Sequence, residues 1–209
     1  MIRVGLIGCG FMGGMHAACY AALAELGVKV TAIADDRPEF LAQMKEQTDA
    51  QTYESGMALI EQADVDVVDI CLPTYLHTAH ACAAMEKGRD VFCEKPVCLT
   101  EEDMQALLET KKRTGRKVMV GQVIRLWDEY AWLKKTVDAG TYGRVLSGVF
   151  QRVSSRPGWP GRDETRWNTP ESSRAAWPWI CTCTTWTLCA ICWASQTAFR
   201  RASIVTATD

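Results

Sequence analysis

The chain has 209 residues, 48% of them hydrophobic, enough to bury the core of one large domain or of one domain and part of another. A formal net charge of -2 gives no electrostatic reason to engage nucleic acid or an anionic membrane surface, which points to a small ligand. No basic and apolar leader opens the sequence and no apolar run is long enough to span a bilayer, so a cytoplasmic protein is expected. Of its ten cysteines, Cys9, Cys71 and Cys93 fall in or beside predicted buried strands, where a free thiol behaves as a small hydrophobe.

In chain order, Arg3 to Ile7 is a short apolar strand, Gly13 to Leu26 a helix that opens on glycines, and Val28 to Ala34 a strand ending in Asp35-Asp36. Strand, glycine turn, helix and strand with an acidic end form the unit expected of a mononucleotide-binding half. Helices follow over Pro38 to Gln47 and Ser55 to Glu61, then a run from Val65 to Leu72 that is apolar except for Asp66 and Asp69. Thr78 to Lys87 reads as a helix, Asp90 to Cys93 as a strand, Glu101 to Thr114 as a helix capped by Thr100, and Lys117 to Val120 as a strand. The alternation predicts an α/β fold, a Rossmann-type doubly wound parallel sheet with right-handed crossovers over residues 1–121. Beyond it, Tyr130 to Ala139 is a helix closed by Gly140, and Arg144 to Ser154 looks like the first strand of a different sheet. Residues 122–173 therefore begin a second, α+β domain.

Gly8-Cys9-Gly10-Phe11-Met12-Gly13 ends the first apolar run. Gly8 permits a tight turn, Gly10 a close approach of backbone to a pyrophosphate, and Gly13 close packing of helix on strand, while the helix N-terminus presents free N–H groups to the phosphates. Asp35 lies 22 positions after Gly13 at the end of the second strand, where its carboxylate can accept from a ribose diol. That favours NAD; NADP stays possible because Arg37 follows closely and can meet a 2′-phosphate. Pro73-Thr74-Tyr75-Leu76-His77 sits at a strand's carboxyl end, the edge where open α/β sheets bind ligands, and His77 either contacts the cofactor or caps the next helix. His16 reads as structural and His80 as a helix-surface residue. Glu94-Lys95-Pro96 also falls at a strand's carboxyl end, where an ammonium can hydrogen-bond a substrate hydroxyl or carbonyl and stabilise an alkoxide. Taken by itself, Lys95 is equally well read as half of a surface ion pair.

The segments G-L-I-G-C-G-F-M-G, A-D-D, I-C-L-P-T-Y-L-H and C-E-K-P, in this order and spacing, resemble the family of glucose–fructose oxidoreductase, inositol 2-dehydrogenase and the rhizopine-catabolism dehydrogenases. The resemblance runs from Met1 to about Ser173. It implies that Lys95 is the catalytic or substrate-orienting lysine. It also implies that Gly8, Gly10, Phe11, Met12, Gly13, Asp35, Arg37, Leu72, Pro73, Thr74, His77, Glu94, Lys95 and Gln122 bind the cofactor. Gly121-Gln122 and Arg125 resemble the segment leading into a substrate domain that covers the nicotinamide and mediates homo-oligomerisation. The implied reaction is NAD(P)-dependent hydride transfer with a sugar or cyclitol, with no metal, nucleic acid or membrane as partner.

After Ser173 the composition changes. Arg174 to Asp209 holds four Trp, four Cys and seven Thr, with no Lys or Glu. Cys181, Cys183, Cys189 and Cys192 have a spacing that can supply four thiolates to zinc. The genetic code offers a better account. In the frame that joins each codon's third base to the next codon's first two, Trp177-Pro178 must yield Ala, Trp179-Ile180 and Trp186-Thr187 Asp, Cys192-Trp193 Leu and Trp193-Ala194 Gly. Cys181-Thr182 and Cys183-Thr184 each yield His or Tyr. The shifted reading accommodates a segment resembling the family's substrate-domain helix with its Asp and His. Residues 174–209 are thus expected to be an out-of-frame translation following a one-base slip, which would leave cofactor binding but weak or absent turnover. The alternative is a non-catalytic dinucleotide-binding module with a genuine, folded tail.

Overall fold

A computed structural model describes residues 1–146. One compact unit takes in Met1–Gly121, and a second begins at Gln122. The first unit contains six strands, β1 (Ile2–Ile7), β2 (Val28–Ala34), β3 (Gln51–Tyr53), β4 (Val67–Ile70), β5 (Asp90–Glu94) and β6 (Val118–Gly121). Between them lie α1 (Phe11–Ala22), α2 (Pro38–Thr48), α3 (Gly56–Gln62), α4 (His77–Glu86) and α5 (Glu101–Thr114). The strands form one parallel sheet in the order β3-β2-β1-β4-β5-β6, so the chain winds outward from β1 first to one side and then to the other. The switch of direction falls between β1 and β4, and there the carboxyl ends of the strands open a crevice.

Strands buried on both faces need apolar side chains at successive positions rather than at alternate ones, and β1, β2 and β4 supply them. Val4, Leu6, Val30 and Ile33 pack with Ala17 of α1 and Met44 of α2 on one face. Ile7, Ala32, Val68, Ile70 and Val91 pack with Leu59 and Ile60 of α3, Ala81, Ala84 and Met85 of α4, and Leu107 of α5 on the other.

Local chemistry explains where the helices begin and end. Ser55 Oγ accepts the Ala58 N–H at 3.1 Å to start α3, and Thr100 Oγ1 accepts the Asp103 N–H at 3.1 Å to start α5. α5 carries Glu101, Glu102 and Asp103 in its first turn and Lys111, Lys112 and Arg113 in its last, opposite in sign to its dipole ends, and stops at Gly115 in the left-handed region.

Three details differ from the sequence reading. α1 begins at Phe11 and ends at Ala22, after which a 3-10 turn over Ala24–Leu26 is closed by left-handed Gly27. The short edge strand β3 was not expected, because three residues are too few to show a period-two pattern. His80, expected on the surface of its helix, is buried: its Nδ1 lies 2.9 Å from the Leu76 carbonyl and its ring lies against Gly56, where a Cβ would come within 2.9 Å.

In the second unit a 3-10 turn (Val123–Leu126) leads into α6 (Asp128–Asp138), with Trp127 stacked on Tyr130 at 5.9 Å. Residues 144–146 belong to no regular element. The rest of the strand expected over Arg144 to Ser154 lies outside the described residues, as do Cys181, Cys183, Cys189 and Cys192. Among the described residues no helix is long and apolar enough to cross a membrane.

Candidate dinucleotide site and the lysine beside it

The turn after β1 is built on glycine for steric reasons. Gly8 has φ +94°, and a Cβ on it would stand 2.6 Å from the Cys71 carbonyl oxygen. A Cβ on Gly13 would stand 1.9 Å from the Gly8 carbonyl oxygen, so α1 can lie this close to the turn only without one. α1 follows with no side-chain cap at Gly10 and no acidic residue in its first turn. Its N-terminal N–H groups are therefore not met by a cap carboxylate, and the positive end of the helix dipole faces the mouth of the turn. Phe11 is exposed, and Met12 is half-buried.

Asp35, directly after β2, is buried beside this turn. Its Oδ2 accepts the Cys9 N–H at 2.7 Å, which ties the glycine turn to the second strand. Its Oδ1 accepts from the Arg37 backbone N–H at 2.9 Å and from Arg37 Nε at 3.0 Å. The Arg37 guanidinium lies 3.8 Å over the ring of Phe40, with Nη2 3.4 Å from where a Gly10 Cβ would sit. Oδ2 also accepts from Arg37 Nη2 at 3.3 Å, so all of the about four lone-pair sites of the carboxylate are taken, and accepting from a ribose hydroxyl requires the Arg37 guanidinium to give up a bond. Burial, then the neighbouring Asp35 charge, pushes the Cys9 thiol up to about 12.

The other half of the site lies where β4 and β5 end. Leu72 and Pro73 are half-buried and Thr74 is buried. Glu94 closes β5, buried, with Oε2 accepting the Lys95 N–H at 3.1 Å. Lys95 is half-buried, and among the described residues its ammonium has no hydrogen-bond or ion-pair partner, so it is not part of a surface ion pair there. His77 is 1% exposed and both ring nitrogens face backbone carbonyls, Nδ1 to Pro96 at 2.8 Å and Nε2 to Leu72 at 2.7 Å. Its ring is part of the wall of the crevice and offers no nitrogen to a ligand. Gln122 and Arg125 belong to the second unit, Gln122 half-buried and Arg125 exposed.

Beneath this edge is a polar cluster that the sequence reading did not assemble. His16 of α1 places Nδ1 2.8 Å from Asp69 Oδ2 and Nε2 3.4 Å from Glu94 Oε1. Tyr20 OH donates to the same Asp69 oxygen at 2.9 Å, and Cys71 Sγ lies 3.3 Å from His16 Nδ1. Burial pulls the imidazole down, but its contacts with Asp69, Cys71 and Glu94 prevail and its pKa is pushed up to about 12. It is an imidazolium between two carboxylates. Burial likewise pushes the Cys71 thiol up to about 12. Donors sharing one tetrahedral ion at ~2.0–2.1 Å would stand about 3.3 Å apart. The 2.8 Å separation of Nδ1 and Oδ2 is instead that of a direct hydrogen bond. The legible signal was Asp69 itself, since a carboxylate inside an apolar strand must find partners.

The chain is similar to known proteins. The profile of the oxidoreductase family with an NAD-binding Rossmann fold matches residues 2–122. Levoglucosan dehydrogenase of Pseudarthrobacter phenanthrenivorans is 35% identical over 153 residues, covering 70% of this chain and 39% of that protein. Inositol 2-dehydrogenase 2 of Saccharopolyspora erythraea is 32% identical over 161 residues, covering 76% of this chain and 47% of that protein. Among solved structures, scyllo-inositol dehydrogenase of Lactobacillus casei with NAD(H) and scyllo-inositol superposes with a TM-score of 0.65 at 28% identity, covering 68% of this chain and 42% of that one. The WlbA dehydrogenase of Bordetella pertussis with NADH and UDP-GlcNAcA gives 0.66 at 27% identity, covering 68% and 41%. The chain thus spans less than half the length of each of these relatives. Matched over more than half its length by the family profile, and built around the glycine turn, Asp35 and Lys95, the protein belongs to the oxidoreductase family with an NAD-binding Rossmann fold that includes the inositol 2-dehydrogenases.

Proposed function

We propose that this chain is the cofactor-binding half of a dehydrogenase that exchanges hydride between NAD and a hydroxyl-bearing carbon of a sugar or cyclitol. The observation that carries the proposal is the placement of two groups at one sheet edge. These are an uncapped helix N-terminus behind a glycine turn, and a lysine whose ammonium has no partner among the described residues. The cradle fits a dinucleotide, since a Cβ at Gly8 or Gly13 would collide with backbone. Nicotinamide, when bound, supplies the hydride acceptor.

The chain's residues would do the rest. N–H groups of the first turn of α1 hold the pyrophosphate. Asp35 accepts from the adenosine ribose diol in exchange for a bond from Arg37, and because it sits where a 2′-phosphate would go, NAD is preferred. Lys95 orients the substrate oxygen and stabilises negative charge that develops on it.

The substrate class rests on the relatives alone, two of which are named for inositol and one for levoglucosan. Residues 122–173 would begin the substrate and oligomerisation domain, and residues 174–209 would be the out-of-frame translation described above. On that reading the purified 209-residue chain binds NADH with little or no turnover. Fluorescence titration with NADH, together with assays on myo-inositol, scyllo-inositol and levoglucosan, tests both parts. Absence of NADH binding overturns the cofactor assignment, and robust turnover overturns the impairment. Resequencing the gene across Pro170 to Trp179 tests the slip directly.

A further inference from the structure

His77 opens α4 with a ring that makes two short contacts to oxygen, 2.7 Å to Leu72 and 2.8 Å to Pro96. A peptide carbonyl only accepts, so each contact requires a ring N–H, and a neutral imidazole has just one. With a single ring proton, one nitrogen would press a lone pair against a carbonyl oxygen in a site sealed from water. Satisfying both contacts takes an imidazolium. The two carbonyls belong to different segments of the crevice, Leu72 to the stretch leaving β4 and Pro96 to the stretch leaving β5, and Pro96 directly follows Lys95.

We propose that His77 is a positioning residue for Lys95, tying the segment after β5 to the segment after β4 through two N–H donors and so fixing where the lysine stands in the crevice. The proposal rests on the reading of Lys95 as the group that orients substrate. Both ring nitrogens of His77 are taken by carbonyls, and it acts through that of Pro96. With one proton lost, one of the two ties is lost and Lys95 is anchored from one side only. Burial is the strongest influence and, with His80 one turn along α4, holds the His77 pKa below the ordinary imidazole value, although both carbonyls and Glu94 at the end of β5 support the charged ring. Both ties therefore hold in acid, and one opens as pH rises through a midpoint below the ordinary imidazole value.

The test is nitrogen-15 NMR of the full 209-residue protein labelled on histidine, with lysine side chains labelled with carbon-13. Two protonated ring nitrogens are expected for His77 on the acid side of its titration and one on the alkaline side. The Lys95 side-chain signals should shift in a step with the same midpoint as the His77 titration, a coupling that a merely structural histidine would not produce. In His77→Gln the step should vanish, and the rate at which Lys95 is acetylated should change severalfold while circular dichroism is retained. A neutral tautomer at every pH at which the protein is folded would overturn the proposal, and this needs no variant. So would a Lys95 step unchanged in His77→Gln. NADH titration of the same samples separates the two ideas. Doubly protonated His77 and coupled Lys95 signals without NADH binding would count against the proposed function alone. NADH binding with His77 neutral at every such pH would count against the tie alone.

Discussion

The imidazole of His16 and the carboxylate of Asp69 meet at 2.8 Å between α1 and β4, with Asp69 fully buried and the far side of the same ring turned to Glu94. A helix that begins at the glycine turn is thereby joined to the strand whose last residue receives the Lys95 N–H. The pKa of His16 in the folded protein is pushed up to about 12, above the ~6.5 of an unfolded chain. Its contribution to stability is therefore full below about pH 6.5 and is lost progressively as pH rises toward the folded value. His16→Gln should destabilise the protein by about 3–5 kcal/mol near neutral pH, because two buried carboxylates lose their cation. The gap between wild type and variant, measured by urea unfolding at pH 7 and pH 9, should narrow at the higher pH; a gap that widens would contradict the charged assignment.

Substitution at Gly13 should be far more damaging than its chemistry suggests. Gly13→Ala puts a methyl 1.9 Å from the Gly8 carbonyl oxygen, which forces α1 away from the turn. An overpacking cost of about 1–3 kcal/mol and loss of NADH binding are expected. Thermal unfolding and fluorescence titration read the two effects separately, and a variant that binds NADH normally would show that the cradle lies elsewhere.

Cofactor choice should turn on Asp35. Its carboxylate occupies Arg37 through the guanidinium and the backbone N–H. Asp35→Ser removes the charge that repels a 2′-phosphate and releases Arg37 to meet it. The ratio of NADPH to NADH affinity should rise by about tenfold or more, corresponding to about 1.4 kcal/mol. Direct titration with both nucleotides decides, and an unchanged ratio would remove Asp35 from the ribose site.

The cysteines should divide by position. Cys9 and Cys71 have thiols pushed up to about 12, chiefly by burial, and Cys93 is raised for the same reason. Cys19 is exposed on α1. Brief iodoacetamide treatment of native protein at pH 8, read by peptide mass spectrometry, should modify Cys19 and leave Cys9, Cys71 and Cys93 intact. Prompt labelling of Cys71 would mean that the His16 cluster opens to solvent.

Much of the fold was legible because its signals are local. Thr100 before Glu101-Glu102-Asp103 marks a helix start within four residues, and the glycine turn marks the first strand, turn and helix within thirteen. β3 was missed because three residues between α2 and α3 form a strand only through pairing with Ala32, Ile33 and Ala34, and no local pattern encodes that partner. The site divides in the same way. Asp35 and Lys95 could be placed by their positions after strands. The association of His16, Tyr20, Asp69 and Glu94 depends on α1 crossing β4 and β5, a proximity between residues up to 78 positions apart that spacing does not reveal. His77 is the intermediate case: its place at the start of α4 was visible, and the two carbonyls that absorb its nitrogens were not.

The strand order also has a consequence in time. β1 is made first yet lies in the middle of the sheet, where Val4 pairs with Val30 on one side and Val67 on the other. A nascent chain must therefore hold its first strand half-paired until β4 has emerged from the ribosome, and the outward row then closes strand by strand to Gly121. Every hydrogen-bonded ladder of this sheet can be in place before Ser173 is translated. An error in the reading frame at that point would reach the ribosome too late to disturb the strands that carry the cradle.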